Sequence, residues 1–332
     1  MLRFIIKRLL VIIPMALVVI SLTWGLVRFA PGTFYSTEKT LPPAVEANIR
    51  KKYGLDKPLL DQYLMMMGNI TCRTKGADET TRSGFQFSIA GANFKCLDFG
   101  DSLKYEGQSV NEILWRTVPV SATLGILAYL LALVIGVSAG TFAALRQNTM
   151  ADYSSMAVSM LGISMPNFVL GPILVLIFSL YLYWFPPARW EGITGISYLV
   201  LPVLTLSAVY SAYIARLTRA GMLEVLRSDY IRTARAKGLS EWHVVTRHAL
   251  RGGLMPVISY TGPALAALLA GTVVVEKIFA LPGMGNVFIQ SILNRDEPLM
   301  LGVVAFLSII TLFFNLFVDI GYAFLDPRIR YD

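Results

Sequence analysis

The sequence predicts an all-α integral membrane protein with six transmembrane helices and one sizeable extracytoplasmic loop domain. Three observations carry that prediction. The 332-residue chain is 55% hydrophobic and only 15% charged, with mean hydropathy +0.60, which is too apolar for a water-soluble domain of ordinary composition. Six uncharged stretches are each long enough to cross a bilayer, which takes roughly 20 residues of helix. The basic side chains gather at alternate ends of those stretches, and such an asymmetry orients a membrane protein.

The first stretch, Leu9 to Val27, follows Arg3, Lys7 and Arg8 and is closed by Arg28 and Pro31. It is long for the apolar part of a secretory signal, and no small-residue cleavage pattern follows it. Residues 1–28 therefore read as a cytoplasmic N-terminus and a retained first span. Residues 29–116 form the extracytoplasmic loop domain, with ten basic and ten acidic side chains between Phe29 and Trp115. Helical patterning runs over Leu41 to Met67, with Pro42 and Pro43 placed for a helix start. The segment Thr71 to Leu97 is rich in Gly, Ser, Thr and charge, and a hydrophobic helix over Val110 to Trp115 leads into the second span. Cys72 and Cys96, the only two cysteines, both lie in this exported loop, where an even count invites a disulfide. Closing that loop contributes about 3 kcal/mol by the chain-entropy estimate. Two unpaired thiols are the alternative.

Residues 117–332 hold the other five stretches: Thr117 to Leu145, Tyr153 to Phe185, Gly192 to Ala215, Gly252 to Val275 and Pro298 to Val318. The third exceeds a straight crossing, so tilt, protrusion or kinking at Pro166 and Pro172 is expected. Pro14, Pro202, Pro256 and Pro263 also fall within spans. Gly125, Ala128, Ala132, Gly136, Ala139, Gly140 and Ala143 recur along the second span at near-helical spacing and predict close packing on another helix, of this chain or of a partner. Six crossings return the C-terminus, with Arg328 and Arg330, to the cytoplasm. The net charge of +8 follows from this topology and does not call for nucleic acid.

Between the fourth and fifth spans, residues 216–251 carry eight basic side chains against three acidic ones, which places the segment in the cytoplasm. Its pattern is helix, break, helix. Met222 to Lys237 holds good helix formers, Gly238 can end a helix in the left-handed conformation, and Ser240 is placed as the next N-cap. The second helix stops at Gly252 and Gly253. Such a ridge can dock in a partner's groove, although a basic loop that merely obeys topology has the same charge.

The string TARAKGLSEWHVVTRHAL, Thr233 to Leu250, resembles the coupling loop of binding-protein-dependent ABC importers, whose general pattern is Glu-Ala-Ala, three residues, then Gly. Aligned on Gly238, the leading positions are Arg232, Thr233 and Ala234, with Arg for the general Glu as is usual in the peptide and nickel branch. The opening MLRFIIKRLL, RFAPG, YGLDKPLLDQY, VSATLGILAYLLALVIGVSAG, LPGMG, NRD at Asn294 to Asp296 and the ending DPRIRYD extend the resemblance over nearly the whole chain. Together they resemble the B-type inner-membrane permease of oligopeptide importers. That implies a fold of the ABC importer permease type, a bacterial inner-membrane location, a homologous C-type sister subunit, two ATP-binding subunits, an extracytoplasmic peptide-binding protein, peptide as substrate and lipid as solvent. It also implies a docking surface of Arg232, Ala234, Gly238, Leu239, Trp242 and His248.

The chemistry absent from the sequence points the same way. No Gly-Lys pair occurs, so a phosphate-cradling loop is missing and ATP–Mg belongs to partner subunits, with no cofactor in this chain. His243 and His248 are five apart, which on an α-helix does not place them on one face for a metal. Both lie outside the spans, which excludes an intramembrane hydrolase, and no catalytic residue is expected. No acidic residue falls near mid-span, which argues against a secondary transporter. A dipeptide, nickel or antimicrobial-peptide importer shares nearly all these features. A non-transport scaffold is the remaining alternative.

Overall fold

The computed structural model describes residues 2–29, 51, 54, 56–71, 73–74, 85–89, 92–105, 107–192 and 194–325. The helices are α1 Leu2–Phe29, α2 Leu59–Thr71, α3 Val110–Leu145, α4 Met150–Ser164, α5 Asn167–Leu174, α6 Ile196–Leu226, α7 Asp229–Ala236, α8 Glu241–His243, α9 Leu250–Gly253, α10 Met255–Ile278, α11 Met284–Leu293 and α12 Glu297–Leu325. Two π-helical turns, Val175–Tyr181 and Val244–Ala249, continue α5 and join α8 to α9.

All six uncharged stretches fall on helices. Four helices among the described residues are long and apolar enough to cross a membrane: Leu10–Phe29, Val110–Leu145, Ile196–Leu226 and Glu297–Phe317. Met150–Ser164 and Asn167–Tyr181 pass the same test only as a pair, bent by 105°. The expected third crossing is thus broken sharply rather than merely tilted. The break sits at Pro166, which has no amide hydrogen to give, and Met165 before it is extended at φ −96°, ψ 115°, as the residue preceding a proline prefers. Pro172 stays inside α5 without ending it.

The hydrophobic helix expected over Val110 to Trp115 is not a separate surface element. It is the first turn and a half of the 36-residue α3, with Val110, Ile113 and Leu114 buried. The all-α expectation also needs one correction, because a small three-stranded antiparallel sheet forms between α2 and α3. Its order is β1-β3-β2, with β1 Arg73–Thr74, β2 Phe85–Ile89 and β3 Ala92–Cys96. Phe85 pairs with Cys96 and Ile89 with Ala92, while Arg73 pairs with Lys95. The alternation Phe85, Phe87, Ile89 has the period of two that a strand requires; composition hid it. Cys96 is buried at the end of β3, and Cys72 lies outside the described residues. Of the helix expected over Leu41 to Met67, α2 contains the last part.

The described residues group into two compact units, one built on Val120–Asn286 and the other drawn from Val11–Pro119 with Val287–Ile309. In the second, Ile20, Ile70 and Ala305 form a small core. Arg28 reaches Glu297 at 3.0 Å and also bonds Gln62. Buried Asp296 accepts from Ser102 Oγ at 2.5 Å and, as a cap of α12, from the Leu299 amide at 3.2 Å.

The first unit is organised on α6, which packs against α4, α5, α9 and α10. Its core joins Leu124, Ala128 and Ala132 of α3, Leu199, Leu206 and Ile214 of α6, and Ala264 and Leu268 of α10. The small-residue series of α3 packs on this chain's own α6. A Cβ at Gly136 would lie 2.7 Å from Ile214 Cβ and from Ser211 O, and one at Gly140 would run into Ala215 O. Gly162 of α4 meets the Ala208 carbonyl in the same way. In lipid such backbone-to-backbone approach replaces the hydrophobic force that water supplies elsewhere. Gly140→Val should therefore overpack the α3–α6 contact and cost about 2 kcal/mol or more, read as a lower unfolding temperature of the detergent-solubilised protein. Gly25→Ala, which meets nothing within 4 Å, serves as the neutral control.

Candidate functional site

The basic segment 216–251 folds as a helical hairpin on the end of α6. Helix α6 does not stop at the apolar limit near Ala215 but continues to Leu226. Met222 to Leu226, expected to begin the first loop helix, is therefore the last part of α6. The chain breaks at Ser228, whose backbone is extended at ψ 154°. Helix α7 then presents Ile231 and Ala234 inward, at 0% and 6% exposure, three positions apart on one face.

Gly238 ends α7 at φ +76°. The Gly238 amide donates to Arg235 O at 2.9 Å, and the Leu239 amide donates to Ala234 O at 3.4 Å. This pair of bonds is the Schellman termination, in which a left-handed glycine lets the last carbonyls find donors. Ser240 occupies the N-cap position of α8 but makes no side-chain capping bond. Across the turn, Arg235 Nε and Nη2 donate to the two carboxylate oxygens of Glu241 at 2.8 and 3.2 Å. The pair is exposed, so it fixes the angle of the hairpin more than it stabilises it.

The second arm runs from Glu241 to Gly253, with the π turn in its middle. Val244, Val245 and Ala249 face inward and join Met222, Ile231, Ala234 and Ala144 in one cluster. Gly253 does more than stop this arm. A Cβ there would lie 2.7 Å from Met222 Sδ, and one at Gly221 would run into the Gly253 carbonyl, so α9 and α6 touch at backbone level. The π turn also overturns the geometry expected for the histidines. Its i→i+5 hydrogen bonding brings residues five apart onto one face, and the rings of His243 and His248 stand 6.5 Å apart. No group of three or more metal-ligating side chains exists among the described residues.

Of the residues expected at the docking surface, Trp242 is 77% exposed and Leu239 38%. Arg232 is exposed and pairs with Asp229 at 3.3 Å. Gly238 is exposed and His248 half-buried. Ala234 is the correction: it points into the hairpin's own core and packs the arms together.

One ion pair at this end escaped the sequence reading. Arg219 of α6 donates from Nε and Nη2 to Asp152 of α4 at 2.7 and 2.6 Å. Asp152 is 1% exposed and also accepts from the Asn148 amide at 3.0 Å. In the sequence Arg219 reads only as one of eight basic residues of the segment 216–251. The available signal was Thr149-x-x-Asp152 at the start of α4, where Thr149 Oγ1 accepts from the Asp152 amide as an N-cap does.

Residues 136–331 match the family described as binding-protein-dependent transport system inner membrane component, and residues 1–125 match its N-terminal counterpart. The chain belongs to this family of ABC importer permeases. It is 45% identical over 331 residues, all of both chains, to the oligopeptide transport system permease protein OppB of Haemophilus influenzae. It is 42% identical, again over the full length of both, to OppB of Escherichia coli K12. The dipeptide transport system permease protein DppB of Bacillus subtilis is 41% identical over 99% of this chain and 98% of its own. Among solved structures, an inward-facing form of the MetNI methionine ABC transporter superposes with a TM-score of 0.54 over 65% of this chain and 97% of that one, at 17% identity. The permease fold is therefore shared well beyond sequence similarity.

Removing the Asp152 carboxylate by Asp152→Ala leaves Arg219 without its partner and should destabilise this permease by about 3 kcal/mol, measured by thermal unfolding in detergent. Arg219→Lys keeps the charge but loses the two-pronged geometry, and should fall between that variant and the wild type.

Proposed function

We propose that this chain is the B-type permease subunit of an ATP-driven, binding-protein-dependent importer of oligopeptides. The single observation that carries the reading is full-length identity of 45% and 42% to two OppB proteins. In this reading the chain crosses the inner membrane six times, with both termini in the cytoplasm, and forms the pathway with a homologous C-type subunit. A peptide-binding protein delivers substrate outside, and two ATP-binding subunits, which carry ATP–Mg, close on each other inside.

The hairpin Asp229 to Gly253 is the handle on which those subunits push. A rigid ridge suits that task because its exposed side chains move as one body. Trp242, Leu239, Arg232 and His248 form its outer face, Gly238 sets its bend, and Ala234 packs beneath. Joined to α6 at Gly221 and Gly253, the ridge passes its displacement directly to the central span. Outside, in this reading, Cys96, buried at the end of β3, forms a disulfide with Cys72.

Dipeptide import is the second reading, favoured by the 41% identity to DppB. Uptake of labelled dipeptides and longer oligopeptides by a deletion strain, with and without this gene, separates the two. Restored uptake of oligopeptides is the expected result, and restoration of dipeptide uptake alone would overturn it.

Gly238→Val places a β-branched residue at φ +76°, which costs about 1–2 kcal/mol and tilts the ridge, although nothing lies within 4 Å to clash. Peptide uptake should fall about ten-fold while the assembled complex still hydrolyses ATP. Gly238→Asn, which tolerates the left-handed region, should keep most of the uptake.

A further inference from the structure

We propose that Glu276, at the end of α10, is a positioning residue of the transport cycle: its carboxylate latches the turn Phe279 to Asn286 to α3 and must release that turn as the pathway opens. The proposal rests on the importer reading above.

Glu276 is fully buried, and no lysine or arginine among the described residues pairs with it. Its oxygens are held by hydrogen bonds instead. Ser121 Oγ of α3 donates to Glu276 Oε1 at 2.6 Å, and the Asn286 amide, in the first turn of α11, donates to Oε2 at 3.0 Å. Ser121 Oγ in turn accepts from the Met284 amide at 2.8 Å. One carboxylate and one hydroxyl thus collect two of the amides that open α11 and join them to α3 and α10. The glutamate backbone takes part as well, its carbonyl accepting from the Leu281 amide at 2.9 Å. Gly283 closes the arrangement, since any Cβ there would strike the Glu276 carboxylate.

A buried carboxyl group at a helix N-terminus is well placed to accept from the amides gathered there, but its hold is all or none. Each bond is directional, and losing one leaves a buried oxygen without a donor. Such a joint resists small displacements and then parts, which is the behaviour of a bistable element rather than of a flexible turn. The Asn286 side chain is engaged in the same turn, its Nδ2 donating to the Leu281 carbonyl at 3.5 Å.

A joint that opens in each cycle and a joint that only supports the fold give opposite results when locked. Ser121→Cys with Met284→Cys, oxidised in the assembled complex in vesicles, should arrest peptide uptake, and reductant should restore it. The wild type carried through the same oxidation and reduction controls for the native cysteines. Uptake at the wild-type rate with the crosslink in place would overturn the proposal. Should the crosslink not form, Glu276→Gln decides. Its amide turns one acceptor into a donor, and with subunit yield unchanged, ATP hydrolysis in the absence of binding protein should rise about ten-fold, the factor that leaving one buried hydrogen-bonding group unpaired implies. Hydrolysis within about two-fold of wild type would overturn it, as would failure of Glu276→Gln to assemble combined with wild-type behaviour of Ser121→Ala. Uptake by the unmodified complex tests the importer reading by itself.

Discussion

The contact that everything else in the first unit depends on is the approach of three segments to the backbone of α6 at glycine. Gly136 and Gly140 bring α3 against Ile214 and Ala215, Gly162 brings α4 against Ala208, and Gly221 receives α9 at Gly253. In water, burial of large apolar side chains would hold such helices together. In lipid that force is absent between spans, so dispersion at short range and the few polar bonds available must suffice. A Cβ at any of these sites would push a helix out of the range where dispersion operates.

The proposed coupling through α6 rests on that constraint. The first part of that helix is buried on nearly all sides, with Leu199, Leu201, Pro202, Val203, Thr205, Leu206 and Ser207 all buried. Its far part carries the hairpin through one apolar cluster and one glycine contact. Arg219 clamps the same stretch to the start of α4 through a buried aspartate that would be costly to leave unpaired. The joints between the hairpin and the rest of the unit are thus backbone contacts, a bidentate ion pair and close packing.

At the opposite end of α10, polar chemistry adds to close packing, since a Cβ at Gly285 would run into Val273 Cα. Glu276 binds the turn before α11 through a serine and two amides. In the other unit, Asp296 binds Ser102 and the first turn of α12 in a similar manner. Each acid stands at a helix start where partial positive charge gathers, and each takes a serine hydroxyl. Both lie at the edges of helices, where a carboxylate is less expensive than at the bilayer centre.

Much of this was legible in the amino-acid order. The six apolar stretches, the break at Pro166 and the left-handed turn at Gly238 follow from hydropathy, proline chemistry and glycine's freedom at positive φ, all of which are local, whereas the exposed Trp242 was expected only from the family resemblance. What the order could not supply was non-local. The ion pair of Arg219 with Asp152 spans 67 positions, and the bond of Ser121 with Glu276 spans 155. No periodicity encodes a contact between elements whose mutual placement is unknown. The same reason covers Ala234, whose inward direction depends on where the second arm folds back, and His243 with His248, which one unforeseen π turn brought together. The sequence by itself determined where the long apolar helices run, because apolarity and helix breaks belong to each residue and its near neighbours, but not the short sheet or where α6 ends. Only the tertiary structure decided which glycines touch α6 and which acids become buried, because burial belongs to the partner as much as to the residue.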